Sequence, residues 1–413
     1  MSATLISNVL VSDCGHVLIE FGRISQISIR EPLIPPADCA IVDASGCTLL
    51  PGLIDAHVHV YRDVQLLETA IQYGVTTVLD MHNEREWFKE INVITRQRND
   101  VSDVKSCCYG ATIKNGWPSA IVRLVSQEED VRIPQKSTVE DRISKWPSLT
   151  DKKSVEHFIA QNKAAGAAFT KLMQEDGHTM NLPFPERPVP APSLELQKTI
   201  VGVSHENGML AVAHAMNNHS TLLVLRAGVD GLAHASIEPI NEEIVQAFKR
   251  NNAFVIPTLA IHASASGEEQ ETRDKFASSL QGAEKEHVLG CLHITSDKFS
   301  IKTVYEQVYT LKEAGIDVLC GTDTSSDLAG TRAGLSVHHE LWMYVNRCRF
   351  TPLEALVSAT SKISDRFGFS DRGMIQEGRL ADLVLVAGDP TASIEAIGNI
   401  KTVWRNGEAV VRN

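Results

Sequence analysis

The 413-residue chain has no apolar stretch near the length a bilayer span needs, which argues against a membrane helix. It also lacks an excess of positive charge. A formal net charge of −12 argues against a nucleic-acid-binding surface and against a polybasic membrane patch. The opening residues, Met1-Ser2-Ala3-Thr4-Leu5-Ile6, have no basic segment followed by a long apolar run. No signal peptide is therefore expected, and the chain reads as cytoplasmic. Among the eight cysteines there is no Cys-x-x-Cys pair, which fits reduced thiols better than disulfides or a thiolate metal site. Internal repeats and low-complexity segments are also missing. What is there is an ordinary globular composition, long enough for one large core and a smaller one.

Both ends of the chain read as short strands. Val9-Leu10-Val11 and His16-Val17-Leu18-Ile19 are apolar runs, and Arg23 to Ile29 alternates with period two. Near the C-terminus, Asp382 to Val386 and Ile400 to Arg405 have the same texture, and Asn406-Gly407 predicts a hairpin turn. Two strand-rich ends around a long middle suggest a small β domain of residues 1–50 and 379–413. Residues 51–378 alternate strand and helix, the pattern of a parallel sheet, and hold eight strand-like runs. The segments 114–150 and 174–192 are long, irregular and Pro-containing, and are expected to line a pocket.

Within that middle, Leu49-Leu50-Pro51-Gly52-Leu53-Ile54-Asp55-Ala56-His57-Val58-His59-Val60 is a turn, a short apolar run and two histidines two residues apart. On a strand such side chains share a face, so His57 and His59 converge, and two converging imidazoles suit a divalent metal. Four further ligand-type residues stand at the ends of other strand-like runs: Lys171, His214, His234 and Asp323. In a parallel barrel those ends meet on one face, where catalytic groups collect. Each residue alone has an ordinary explanation, such as a satisfied core histidine, a snorkelling lysine or an aspartate helix cap. Six such explanations all falling on one face are improbable together.

The set also resembles a known family. His-x-His on strand one, lysine on strand four, histidines on strands five and six and aspartate on strand eight is similar to the amidohydrolase superfamily. Arg226 to His234, Pro257-Thr258-Leu259, Gly321-Thr322-Asp323, Val337 to Leu341, Phe350 to Leu356 and Gly378 to Val384 resemble one branch of it. That branch holds imidazolonepropionase-like enzymes, Xaa-Pro dipeptidases and ochratoxinase. The resemblance implies an α/β fold, a (β/α)₈ TIM-type barrel with a small β-sandwich formed by both termini. It implies a site of two divalent ions, zinc foremost, held by His57, His59, His214, His234, Asp323 and a carbon dioxide carbamate on Lys171.

The implied activity is hydrolysis of an amide-like C–N bond in a small molecule, such as an N-acyl amino acid or dipeptide. Buried beside cations, Lys171 is driven toward the neutral amine that adds carbon dioxide. A hydroxide bridging the two metals would attack the carbonyl, with Asp323 as general base and then general acid. His82, His178, His262 and His338 are weaker candidates for substrate contact, with His82 expected at the rim. Two stretches depart from the family's pattern, Leu79 to Glu84 and the acidic Met173-Gln174-Glu175-Asp176-Gly177-His178. Both bear on substrate identity. The nearest rival is a mononuclear deaminase or cyclic-amidine hydrolase, but His214-Ala215-Met216-Asn217-Asn218-His219 offers no shuttle glutamate and Lys171 would have no role. A lactonase or decarboxylase acting on a natural product is a further alternative. A non-catalytic scaffold fits poorly because every ligand position is filled. A homo-oligomer is left open.

Overall fold

The computed structural model of the chain describes residues 3–10, 14–125, 139–182 and 188–412. Val11 and parts of both pocket segments, 126–138 and 183–187, lie outside the described residues.

The alternating N-terminal sequence folds as β1 (Thr4–Leu10), β2 (Cys14–Glu20), β3 (Arg23–Ile29), β4 (Ala40–Asp43) and β5 (Cys47–Pro51). The middle supplies β6 (Leu53–Val58), β7 (Val75–Asp80), β8 (Asp103–Ser106), β9 (Thr170–Met173), β10 (Ala211–His214), β11 (Gly231–Ala233) and β12 (Phe254–Ile256). The C-terminal end adds β13 (Leu383–Ala387), β14 (Ile400–Arg405) and β15 (Glu408–Ala409). Between β14 and β15, Asn406 and Gly407 take φ of 49° and 76°, the left-handed pair that a tight hairpin requires.

Both chain ends share one eight-stranded sheet in the order β15-β14-β13-β5-β1-β2-β3, with β4 on β1. The strands expected to form a sandwich are hydrogen-bonded into this one sheet. Hydrogen bonding runs through β5, which pairs with β1 at Leu10–Thr48 and with β13 along its whole length. Alternation along β5 explains how the sheet serves two cores. Leu49 joins Ile6, Val17, Leu383 and Trp404, while Leu50 packs with Val384 and Val403 against the helix-and-sheet core. Trp404 is 1% exposed at the centre of the first group. Trp404→Ala should therefore cost about 3–5 kcal/mol of stability. Urea unfolding measures this, and a midpoint indistinguishable from wild type would show that the sheet is not held by this core.

The middle strands form two parallel sheets, β6-β7-β8 and β9-β10-β11-β12. Parallel bridges link their edges: Ala111 with Leu172, Val255 with Val318, and Val58 with Thr324. One apolar cluster under the strand ends joins Ile54 and Ala56 with Leu79, Phe169, Val212, Ala233, Ile256 and Leu319, drawing on both sheets. The helices run between the strands, as the texture predicts, among them Val64–Gln72, Arg85–Gln97, Leu194–Glu206 and Asn218–Ala227.

Three local expectations change. The sequence also predicts a strand near 106–113, but the regular strand ends earlier, at β8, and Cys108 beyond it takes a left-handed φ of 57°. The run at 315–323 forms no regular strand. Its backbone still bonds on both sides, through Leu319 N–H to Val255 O and Ala56 N–H to Cys320 O, and then turns left-handed at Asp323, φ 57°. Among the described residues of 114–150 there are two short helices, Ser119–Val125 and Val139–Ile143. No helix among the described residues is long and apolar enough to cross a membrane.

Candidate active site

Because the strands are parallel, their C-terminal ends face one side, and His57, His59, Lys171, His214, His234, His262 and Asp323 all line one cavity there. The two chain segments that carry His57 and Asp323 are tied together by Asp55. Its carboxylate accepts the His57 N–H at 3.1 Å, the Thr322 N–H at 3.0 Å and the Thr322 hydroxyl at 2.6 Å. Burial pushes Asp55 up to about 7, against those hydrogen bonds. The Asp323 N–H in turn donates to His57 O at 2.8 Å. This approach needs Gly321, since a Cβ there would stand 2.9 Å from His57 N and 2.5 Å from an Ile256 methyl.

Asp323 Oδ1 lies 3.2 Å from His57 Nε2 and 3.0 Å from His59 Nε2. Burial alone would raise Asp323, but the two imidazoles outweigh it and hold the carboxylate well below its usual range. The rings follow one another around the cavity. Centroids are 5.4 Å apart for His57 and His59, 4.8 Å for His57 and His234, and 4.5 Å for His214 and His234. Burial pushes His57 down to about 3 and takes His214 and His234 well below the ordinary imidazole value. These rings are therefore neutral and keep a lone pair. Lys171, 1% exposed on β9, is pushed by burial down to about 8.

His234 shows how the lone pair is aimed. It follows β11 with φ 94°, an unusual backbone for a residue with a Cβ. Its Nδ1 stands 2.8 Å from Thr258 Oγ1, and that hydroxyl donates to Pro257 O at 2.7 Å. The Thr258 oxygen must then accept Nδ1–H, leaving Nε2 unprotonated. Thr258 sits at φ 55° ahead of the helix Leu259–Ser266. The first two N–H groups of that helix, Leu259 and Ala260, donate to the two oxygens of Glu340 at 2.8 Å each. Glu340 comes from the Val337 to Leu341 stretch, whose motif is visible in the sequence without its role. The His214 ring is held from the other side: Nε2 is 3.2 Å from Glu175 Oε2, and Trp117 packs at 5.0 Å.

The weaker histidine candidates separate. His262 is buried and lines the cavity. His82 is not at a solvated rim. It is 1% exposed, its Nδ1 accepts the Gly110 N–H at 3.0 Å, and Trp146 covers it at 5.0 Å. His178 is exposed and outside the cavity lining, its N–H given to Asp176. His338 is also outside it; its Nε2 stands 2.9 Å from Tyr73 O and pins the turn at Gly74. Asp55, Glu175, Thr258 and Glu340 have no role assigned from the sequence. For the first two a signal exists, an acid two residues before His57 and an acid just past β9.

Residues 48–410 match the model of the Amidohydrolase family. The chain belongs to the amidohydrolase family. Its fold is shared with solved amidohydrolase-type structures. A Xaa-Pro dipeptidase with bound methionine has 18% identity, covers 99% of each chain and gives a TM-score of 0.74. Ochratoxinase of A. niger has 19% identity, 100% and 96% coverage, and a TM-score of 0.68. Enamidase of Eubacterium barkeri is 33% identical over 97 residues, 19% of this chain and 25% of that protein. That match spans a quarter of the relative's length.

Amidohydrolases generally use divalent metals, and the residues here fit such an ion. Ligand atoms of His57, His234 and Asp323 all lie within 4.8 Å of one another. Asp323 Oδ1, though close to both Nε2 atoms, and the Nδ1 atoms of His57 and His59 are buried and make no well-formed hydrogen bond among the described residues. A buried carboxylate oxygen is costly to leave without one. Neutral imidazoles beside an ionised carboxylate are a donor set for zinc, manganese or cobalt. This amidohydrolase thus brings a candidate metal-binding group of two histidines and an aspartate together at its strand ends.

Proposed function

We propose that the protein is a binuclear metal-dependent hydrolase that cleaves an amide-like C–N bond of a small molecule, in the class of N-acyl amino acids and dipeptides. One observation carries this reading: six ligand-type side chains from five segments of the chain line a single cavity, with Lys171 buried among them. His57, His59, His214, His234, Asp323 and Lys171 would hold the ions, zinc foremost. With its pKa pushed to about 8, Lys171 has a neutral fraction whose lone pair can add to carbon dioxide, one proton leaving as the carbamate forms. Bound divalent ions supply carbonyl polarisation and a water that is acidic near neutral pH.

The chain's own residues do the rest. Asp323 takes a proton from the attacking water and returns it to the departing nitrogen. Asp55 and the Thr322 hydroxyl keep Asp323 and His57 in register. Trp117, Ile121, Val122 and Met216 form an apolar wall that holds an apolar group and excludes water. The same reading takes residues 51–378 as a (β/α)₈ barrel, with Asp317 to Thr324 in the eighth strand's place. Residues 1–50 and 379–413 are then the small β domain.

Two measurements test it. Zinc added to metal-free protein should raise Tm, by about 2.7 kcal/mol of stability at a hundredfold excess over Kd. His57→Ala should remove most of that shift, and no shift with zinc, manganese or cobalt would remove the metal premise. The metal-loaded protein is then offered N-acyl amino acids, dipeptides, lactones and aminated heterocycles. Turnover confined to lactones, or ammonia release from heterocycles alone, would contradict the amide reading.

A further inference from the structure

His262 is buried, 2% exposed, and stands in the first turn of the helix Leu259–Ser266, whose start is clamped by Glu340. It lines the cavity, with its ring 6.3 Å from that of His234. One side of the ring is committed to a hydrogen bond with the backbone of Ala235. The other side, Nε2, is buried and has no partner among the described residues. The carbonyl of Ala235 can only accept, so the committed nitrogen carries the hydrogen and Nε2 carries the lone pair. Burial pushes the imidazole down to about 4, so the ring is neutral near pH 7 and this tautomer persists. His57 and His59 also have an unpartnered nitrogen, but both already bear on Asp323.

An acceptor fixed in a mostly apolar wall, beside Ile261, Ala265, Leu292 and Ile294, is the kind of isolated polar group that sets specificity in a pocket. Burying it unpaired is costly, and a ligand that donates to it removes that cost. We infer that His262 Nε2 accepts the N–H of the scissile bond, so that the enzyme selects secondary amides over tertiary ones. The inference rests on the amide-hydrolase reading and narrows it to amides that keep a hydrogen on the leaving nitrogen. In the reaction the water oxygen bonds to the carbonyl carbon and the C–N bond breaks. Nitrogen gains one proton and loses none, so the original N–H is present throughout. As nitrogen is protonated that N–H becomes a stronger donor, and the bond to His262 strengthens toward the transition state.

The test uses matched N-acyl amino acids, one secondary and one N-methylated, with full-length metal-loaded protein. Wild type should favour the secondary amide by about 10–100-fold in kcat/KM. His262→Phe keeps the ring bulk and removes the acceptor, and should bring the ratio close to one, mostly through kcat on the secondary amide. His262→Asn, which retains an acceptor oxygen, should recover part of the preference. Binding of the same pair to Asp323→Asn protein, by calorimetry, gives a readout that needs no turnover. It should favour the secondary amide, and the added His262→Phe change should erase that difference. An unchanged ratio in His262→Phe, or a wild-type preference for the N-methyl compound, overturns the inference and leaves the hydrolase reading standing. Neither compound bound nor cleaved overturns both.

Discussion

Asp323→Asn should lower kcat by about 10²–10⁴-fold, the contribution typical of a positioned acid–base group, with metal content largely retained. The substitution keeps the size of the side chain and one oxygen while removing the base. The case rests on position. Asp323 Oδ1 lies within 3.2 Å of two imidazole nitrogens, on a segment locked to His57 by the Asp55 hydrogen bonds. His57 and His59 outweigh burial and hold the carboxylate ionised, so at neutral pH it is ready to accept a proton. Acidification would protonate it and stop the reaction. The acidic limb of the kcat/KM profile should therefore disappear in Asp323→Asn. Near-wild-type turnover in that variant would assign proton transfer to another group lining the cavity.

Lys171→Ala is the second decisive change. Elemental analysis of wild type should give close to two ions per chain, and the variant should lose at least one. Activity should fall at least as far as when a metal's supporting partner is removed, about 10–100-fold. Carbon-13 NMR with labelled bicarbonate adds a direct readout, a carbamate signal in wild type that is missing from the variant. The sign of the pH effect follows from burial, which lowers the Lys171 pKa from 10.5 to about 8. Only the neutral amine adds carbon dioxide, so the carbamate should form faster as pH rises through about 8. Two ions and full activity without Lys171 would sink the bridging role. A fully active one-ion protein, indifferent to Lys171, would point to a mononuclear deaminase.

By itself the sequence determined the features that are local or repeat with the strand period. His57-Val58-His59 could be read because residues two apart on an extended chain share a face, and Asn406-Gly407 because few residues tolerate paired left-handed φ. His214 and His234 were legible because each ends an apolar run, Lys171 because a lysine stands inside one, and parallel runs end on one side. Tertiary structure alone decided how those ends are held. The Glu340 carboxylate reaches Leu259 and Ala260 across some 80 positions of chain. Asp55 meets Thr322 from 267 positions away, and Glu175 finds His214 from 39. No periodicity encodes such pairs, since they form only when distant segments pack. The same holds for two of the misplaced expectations. His82 is buried because Gly110 and Trp146 close over it, and the last strand gives way at Asp323 because the left-handed turn directs that carboxylate toward His57 and His59.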